Sequence, residues 1–130
     1  MRNNHVTMGS ALLFLAVAAG AFGAHGLRSV LEPDHLDQWR TAVEYQVYHG
    51  LGMLALAALA GRLPADRLKT VGRLFLVGIV FFSGSIYLLS TRELTGLVAL
   101  ARILGPITPV GGLLLLSGWA WLFITALRKD

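Results

Sequence analysis

The sequence predicts an all-α membrane protein: a four-transmembrane-helix bundle with a short interfacial helix between helices 3 and 4. Three observations predict it. Hydrophobic residues fill 55% of the 130 positions and charged residues only 14%, whereas a soluble domain carries about 25% charged residues. The mean hydropathy is accordingly high, at +0.66. The few charges are also grouped, and they leave four long uncharged runs, each close to the roughly 20 apolar residues that a bilayer-crossing helix needs.

The first run, residues 3–27 between Arg2 and Arg28, contains no Lys, Arg, Asp or Glu. Arg2, the apolar run and the small residues Ala19-Gly20-Ala21 share the layout of a signal peptide. The run continues past that cleavage-like point, so an uncleaved first helix is expected. The second run, 45–61, extends backwards into polar sequence. There, Pro33-Asp34 and Asp37 place acids in a first turn, where the positive end of the helix dipole favours them. Helix 2 is expected from near His35 to about Ala60. Leu63-Pro64-Ala65-Asp66 is a tight turn into the third run, 74–91. Leu94, Leu97, Val98, Ala101 and Leu104 then recur at helical spacing with Arg92 and Arg102 turned elsewhere, the pattern of a helix lying on a membrane surface. Gly105-Pro106 is expected to end it. The last run is 103–127, with Thr108 as N-cap and Pro109 in the first turn. The expected spans are about 6–27, 40–61, 71–91 and 106–127, in one domain covering 1–130.

Basic residues set the orientation. The N-terminus, second loop and C-terminus share Arg2, Arg62, Arg67, Lys69, Arg73, Arg128 and Lys129, against Arg28, Arg40, Arg92 and Arg102 on the other side. The richer side is the cytoplasmic one, which puts both termini inside. The net charge of +4 does not signal nucleic acid, because the basic residues form no continuous stripe. The chain has no cysteine, which excludes disulfides, thiolate metal sites and thiol nucleophiles. No cofactor is expected.

Polar groups within a span are costly and usually face the protein interior or a watery cavity. The candidates are His25 at the end of helix 1, then Glu44, Tyr45, Gln46 and His49 in helix 2. Ser83, Ser85 and Tyr87 in helix 3 and Thr108 in helix 4 complete the set. On the helical rise they fall in the outer half of each helix, above plain apolar packing at Leu12 to Val17, Leu54 to Leu59, Leu74 to Val77 and Leu113 to Leu116. That asymmetry predicts a polar, outward-opening pocket over a hydrophobic plug.

Ordinary explanations stand beside these. Glu44 follows Arg40 by four residues and can pair with it near the outer surface. Serines in spans bond their own backbone or a neighbouring helix. Gly20, Gly23, Gly26, Gly84, Gly111 and Gly112 suit close helix packing. The first three mimic a phosphate loop, but no strand precedes them. Glu44 and His49 lie about 140° apart around a helix and form no metal-binding pair. Trp119 and Trp121 suit interfacial anchoring.

Four ordered motifs carry a resemblance over essentially the whole chain. They are Gly20-Ala21-Phe22-Gly23-Ala24-His25-Gly26-Leu27, Trp39 with Ala42-Val43-Glu44-Tyr45-Gln46 and His49-Gly50-Leu51-Gly52, Phe82-Ser83-Gly84-Ser85-Ile86-Tyr87, and Ile107-Thr108-Pro109-Val110-Gly111-Gly112. The chain resembles the YgdD/YwdK family of small membrane proteins. The resemblance implies a multi-pass four-helix protein of the bacterial inner membrane, with no established biochemical activity.

Three functions are weighed. The leading one is a binding or accessory protein whose outer polar core holds a partner helix, a lipid headgroup or a small solute. The second is transport of a small solute or protons, with His49 and Glu44 titrating. Small multidrug exporters have a similar size but rely on an acid in helix 1, and none is present here. The third is haem ligation by His25 and His49. An enzyme is not expected, since no nucleophile–base pair or metal-ligand set stands at a persuasive spacing. Homo-oligomerisation through the glycine-rich faces remains a further option.

Overall fold

Pro33 opens the second helix because its missing N–H would be unpaired there anyway, and Asp34 follows in the first turn. The same logic starts the third helix after Pro64, with Asp66 in its first turn. The computed structural model describes residues 4–128; Arg2 and Lys129, counted above for orientation, lie outside them. The elements are α1 (Asn4–His25), α2 (Pro33–Ala58), α3 (Ala65–Ser90), α4 (Arg92–Thr95), a 3-10 turn (Val98–Leu100) and α5 (Ala101–Leu127). Gly61 takes a positive φ of 83° between α2 and α3, a conformation that costs a residue without a Cβ little.

Each long helix packs antiparallel against the next: α1 on α2, α2 on α3, and α3 on α5. At the end that carries the termini, Met53, Leu56, Leu68, Val71, Phe75, Ile79 and Leu115 form the larger core. At the opposite end, Leu27, Leu31 and Leu36 pack with Trp39. Among the described residues, three segments are long and apolar enough to cross a membrane: Asn4–His25, Ala65–Ser90 and Val98–Leu127. Although 26 residues long, α2 is not among them, because Glu44, Gln46, His49 and two tyrosines interrupt its apolar half.

Between α3 and α5 the structure departs from expectation. The apolar recurrence from Leu94 to Leu104 is split among α4, a 3-10 turn and the start of α5. Gly96, at a φ of 74°, closes α4 after one turn, as a left-handed residue does at a helix C-terminus. Gly105-Pro106 ends nothing, since α5 begins at Ala101 and carries Pro106 and Pro109 inside it. Each proline removes one backbone hydrogen bond, but in an apolar segment abandoning the helix would orphan several. Thr108 is therefore no N-cap. Its hydroxyl lies mid-helix, 3.3 Å from the Leu104 carbonyl oxygen.

Candidate functional site

The polar residues of α2 face its neighbours and are fastened to them level by level. Nearest the α1–α2 connection, Trp39 donates from Nε1 to the Ala19 carbonyl at 2.9 Å. Gly23 makes room for this indole, since a Cβ there would stand 2.7 Å from Trp39 Nε1. The other neighbours of Trp39 are Phe22, edge-on, and Tyr87, at a centroid distance of 4.6 Å. Ser83 donates to the Ala42 carbonyl at 2.7 Å. One turn deeper, Gln46 donates to the Leu12 carbonyl at 2.8 Å and accepts from the Tyr87 hydroxyl at 2.7 Å. Tyr87 and Gln46 reach each other because helical side chains lean toward their own N-termini, which point in opposite directions here.

His49 is held at both nitrogens. Nδ1 lies 2.7 Å from the Tyr45 carbonyl, an acceptor only, so Nδ1 carries the hydrogen. Nε2 then accepts from Trp119 Nε1 at 3.0 Å. The ring also meets Phe75 edge-on, at 5.1 Å. His49 thus sits against the larger core and not in the outer half, and Trp119 is a hydrogen-bond partner where an interfacial anchor was expected. Between α3 and α5, the Ser85 and Thr108 hydroxyls approach to 2.6 Å. Whichever one donates, the other can send its hydrogen to a backbone carbonyl, Phe82 for Ser85 or Leu104 for Thr108.

The structure therefore brings Gln46, Tyr87, Ser83, Ser85, Thr108 and His49 together as satisfied links between helices. His25 and Glu44 stay outside. His25 is exposed at the end of α1. His49 lies level with the turn between Gly9 and Leu13, because Gly50 packs against both, so the two imidazoles are about 20 Å apart along the helices. Haem ligation by that pair is excluded. Arg40 pairs with Asp37 at 3.2 Å, the one ion pair among the described residues, because the i, i+4 order with the acid second is the weaker one. Glu44 is exposed on the outward face of α2. It lies between the levels of the Trp39–Ala19 and Gln46–Leu12 bonds, opposite the middle of α1 and away from either end of the bundle. Tyr45 is partly exposed and lies against Phe82, 4.7 Å between centroids.

The glycines divide likewise. Gly111 lies against the α3 backbone, and Gly23 against Trp39. Gly20 and Gly112 make ordinary contacts, with Val43 and Phe82. Gly26 meets only Phe22 of its own turn, and a Cβ on Gly84 would meet nothing within 4 Å, so neither packs a helix. Gly9, Gly50, Gly72, Gly78 and Gly118, all in close contacts, were not anticipated. A mutual spacing on facing helices marks them, and a single chain read linearly does not reveal it.

Two hollows flank these links. A pocket of about 390 Å³ lies between α2, α3 and α5 near the α1–α2 connection, lined by Gln38, Thr41, Arg92, Thr108, Gly105 and Pro109 over Ile86 and Leu89. Arg92 is half-buried. It donates to the Leu89 carbonyl at 2.7 Å and to His35 Nε2 at 3.3 Å. Directly below, and sharing Pro109, a groove of about 740 Å³ runs between α2 and α5, lined by Tyr45, Tyr48, His49, Phe82, Leu116 and Trp119 among others. Among the described residues, no cluster of three or more His, Asp or Glu could hold a metal ion.

Apolar helices joined by polar links, with a sideways-opening groove, define a small helical membrane protein. Residues 19–112 match the protein of unknown function family DUF423, and the chain belongs to that family. It is 43% identical to a UPF0382 membrane protein of Staphylococcus saprophyticus over 92% of each chain. It is 39% identical to one of Staphylococcus haemolyticus, over 95% of this chain and 94% of that one. Identity is again 39% to the membrane protein YwdK of Bacillus subtilis, over 95% of both chains. The family resemblance read from the four motifs is thereby shown. No solved structure matches the chain.

Proposed function

We propose that this is a non-catalytic binding protein of the bacterial inner membrane, crossing it four times with both termini in the cytoplasm and taking a small ligand into the pocket beside Arg92. One observation carries the binding reading: a half-buried guanidinium lines a pocket with three polar side chains, Gln38, Thr41 and Thr108, and with no acid. A volume of about 390 Å³ lies within the roughly 300–1,000 Å³ of ordinary ligand sites. The four-pass reading rests on the length of α2 and on the bonds that tie its polar groups to α1, α3 and α5. Its orientation rests on the basic residues, of which Arg62, Arg67, Lys69 and Arg73 lie at the end carrying the termini.

Gly105 supplies the test. A Cβ there meets nothing within 4 Å, so Gly105→Leu starts its side chain in open space on the pocket lining and narrows the pocket. Protein extracted in mild nonionic detergent is expected to retain a bound small molecule in native mass spectra, and Gly105→Leu is expected to lose it. Equal spectra would overturn the pocket. For orientation, the cysteine-free chain accepts single probes. Glu93→Cys is expected to react with an impermeant maleimide on the periplasmic side and Asp66→Cys is not; the reverse pattern overturns the topology.

A second reading, cation or proton transport, is favoured by one feature, the exposed carboxylate of Glu44 opposite the middle of α1. His49 gives it no support, because both of its nitrogens are engaged. Flux into proteoliposomes that disappears in Glu44→Gln supports it, and absence of flux removes it.

A further inference from the structure

We infer that the pocket and the groove form one site for a single anionic phospholipid, with its phosphate at Arg92 and one acyl chain lying along α2 and α5 toward Trp119. This rests on the binding reading above and names its ligand class. The pocket and the groove share Pro109, and their linings continue by one turn on each helix: Thr41 to Tyr45 on α2, Ile86 to Phe82 on α3, Thr108 to Gly112 on α5. Polarity changes along that line. The Arg92 end presents a cation and the Gln38 amide, with the Thr41 and Thr108 hydroxyls beside them bonded to backbone carbonyls. The groove below is almost wholly apolar, and its one imidazole is already bonded at both nitrogens. From Gly105 to Trp119 the line runs about 21 Å, enough for the roughly 15 Å of hydrocarbon in one leaflet.

The charge at the upper end is uncompensated. Among the described residues the ion pair is Arg40 with Asp37, and Arg92 bonds a carbonyl and an imidazole nitrogen but no carboxylate. The neighbouring Glu93 is exposed and does not line the pocket. A guanidinium suits a phosphate, which accepts charge-assisted hydrogen bonds from its fork of donors. A free anion would leave the apolar groove unused, and an uncharged hydrocarbon would leave Arg92 unmatched. A phospholipid answers both. One with a net negative headgroup is favoured over a zwitterion, whose ammonium brings a second cation toward Arg92.

The test uses the full chain in nonionic detergent, titrated separately with phosphatidylglycerol, phosphatidylcholine and inorganic phosphate, with bound species counted by native mass spectrometry. Wild type is expected to hold phosphatidylglycerol about tenfold more tightly than phosphatidylcholine, the scale of one like-charge repulsion near a protein surface, and to hold no inorganic phosphate. Arg92→Gln is expected to remove that preference, and Arg92→Lys to keep part of it. Gly112→Leu enters the groove where Phe82 is the nearest neighbour, at 3.7 Å, and is expected to weaken both lipids. Three results overturn the proposal: equal binding of the two lipids by wild type, preference surviving in Arg92→Gln, or Gly112→Leu binding like wild type. Retention of inorganic phosphate alone, lost in Gly105→Leu, overturns the phospholipid but leaves the pocket standing. Retention of none of the three, with Gly105→Leu indistinguishable from wild type, overturns both.

Discussion

Gly111→Ala is expected to loosen the contact between α3 and α5 and to lower stability by about 2 kcal/mol. A Cβ at Gly111 would stand 2.8 Å from the Phe81 carbonyl carbon and the Phe82 Cα, and closer still to the Phe82 nitrogen, where ordinary contact begins at 3.4 Å. All three are backbone atoms, so no side chain can swing aside and the helices must part by at least about half an ångström. Gaps of about 0.5–1 Å forfeit a quarter to a half of each contact's attraction, and overpacking in general costs about 1–3 kcal/mol. Against this, alanine gains up to about 1 kcal/mol of helix propensity over glycine. A backbone clash belongs at or above the top of the overpacking range, so the net is a loss near 2 kcal/mol, about 30-fold in the folded population. Gly84→Ala is the control. It adds the same methyl to α3 with nothing within 4 Å, and is expected to hold or raise stability by up to about 1 kcal/mol. Both are read from unfolding in mixed micelles followed by circular dichroism. Equal stability of Gly111→Ala and wild type, or equal losses in both variants, would refute the reasoning.

Other substitutions separate the polar links. A double-mutant cycle of Gln46→Leu and Tyr87→Phe is expected to give a coupling of about 0.6 kcal/mol, the average for hydrogen bonds between membrane helices, and no more than about 1.7; zero coupling means that their 2.7 Å contact contributes nothing. Trp119→Phe leaves the His49 Nε2 without its donor and is expected to cost about 1 kcal/mol, measured by the same unfolding transition. Glu44→Gln is expected to cost no stability in nanodiscs, since this exposed carboxylate has no ion pair among the described residues. A loss above about 1 kcal/mol would reveal a partner for the carboxylate.

Much of the fold was legible because apolar helices announce themselves by uncharged length, and Pro33 and Pro64 mark where two of the long helices start. The segment after α3 was misread because its apolar spacing is genuine, while a single glycine at a positive φ decides whether that spacing becomes one helix. Pro106 was assigned a breaking role that holds in water and fails where backbone groups have no other partner, and Pro109 a first-turn place that the earlier start of α5 moves into the helix. Of the candidate polar residues, those of α3 and α5, together with Gln46 and His49, did converge. Glu44 was misplaced because its partner and depth depend on the register of α2 against α1, which the Trp39 and Gln46 bonds fix and the linear sequence does not. Arg92, Gln38 and Thr41 were missed as a group because they come together only when α2 and α3 are in place.

The links from α2 to α1 bear on how the protein is made. On the four-pass reading, α2 has too little hydrocarbon character to leave the insertion machinery alone, and its Trp39 and Gln46 seek carbonyls at Ala19 and Leu12 that belong to α1. Only 7 residues, 26–32, separate the two helices. The first helix is then more than an anchor. It supplies the acceptors that α2 needs, and on that reading the two are expected to enter the bilayer as a hairpin.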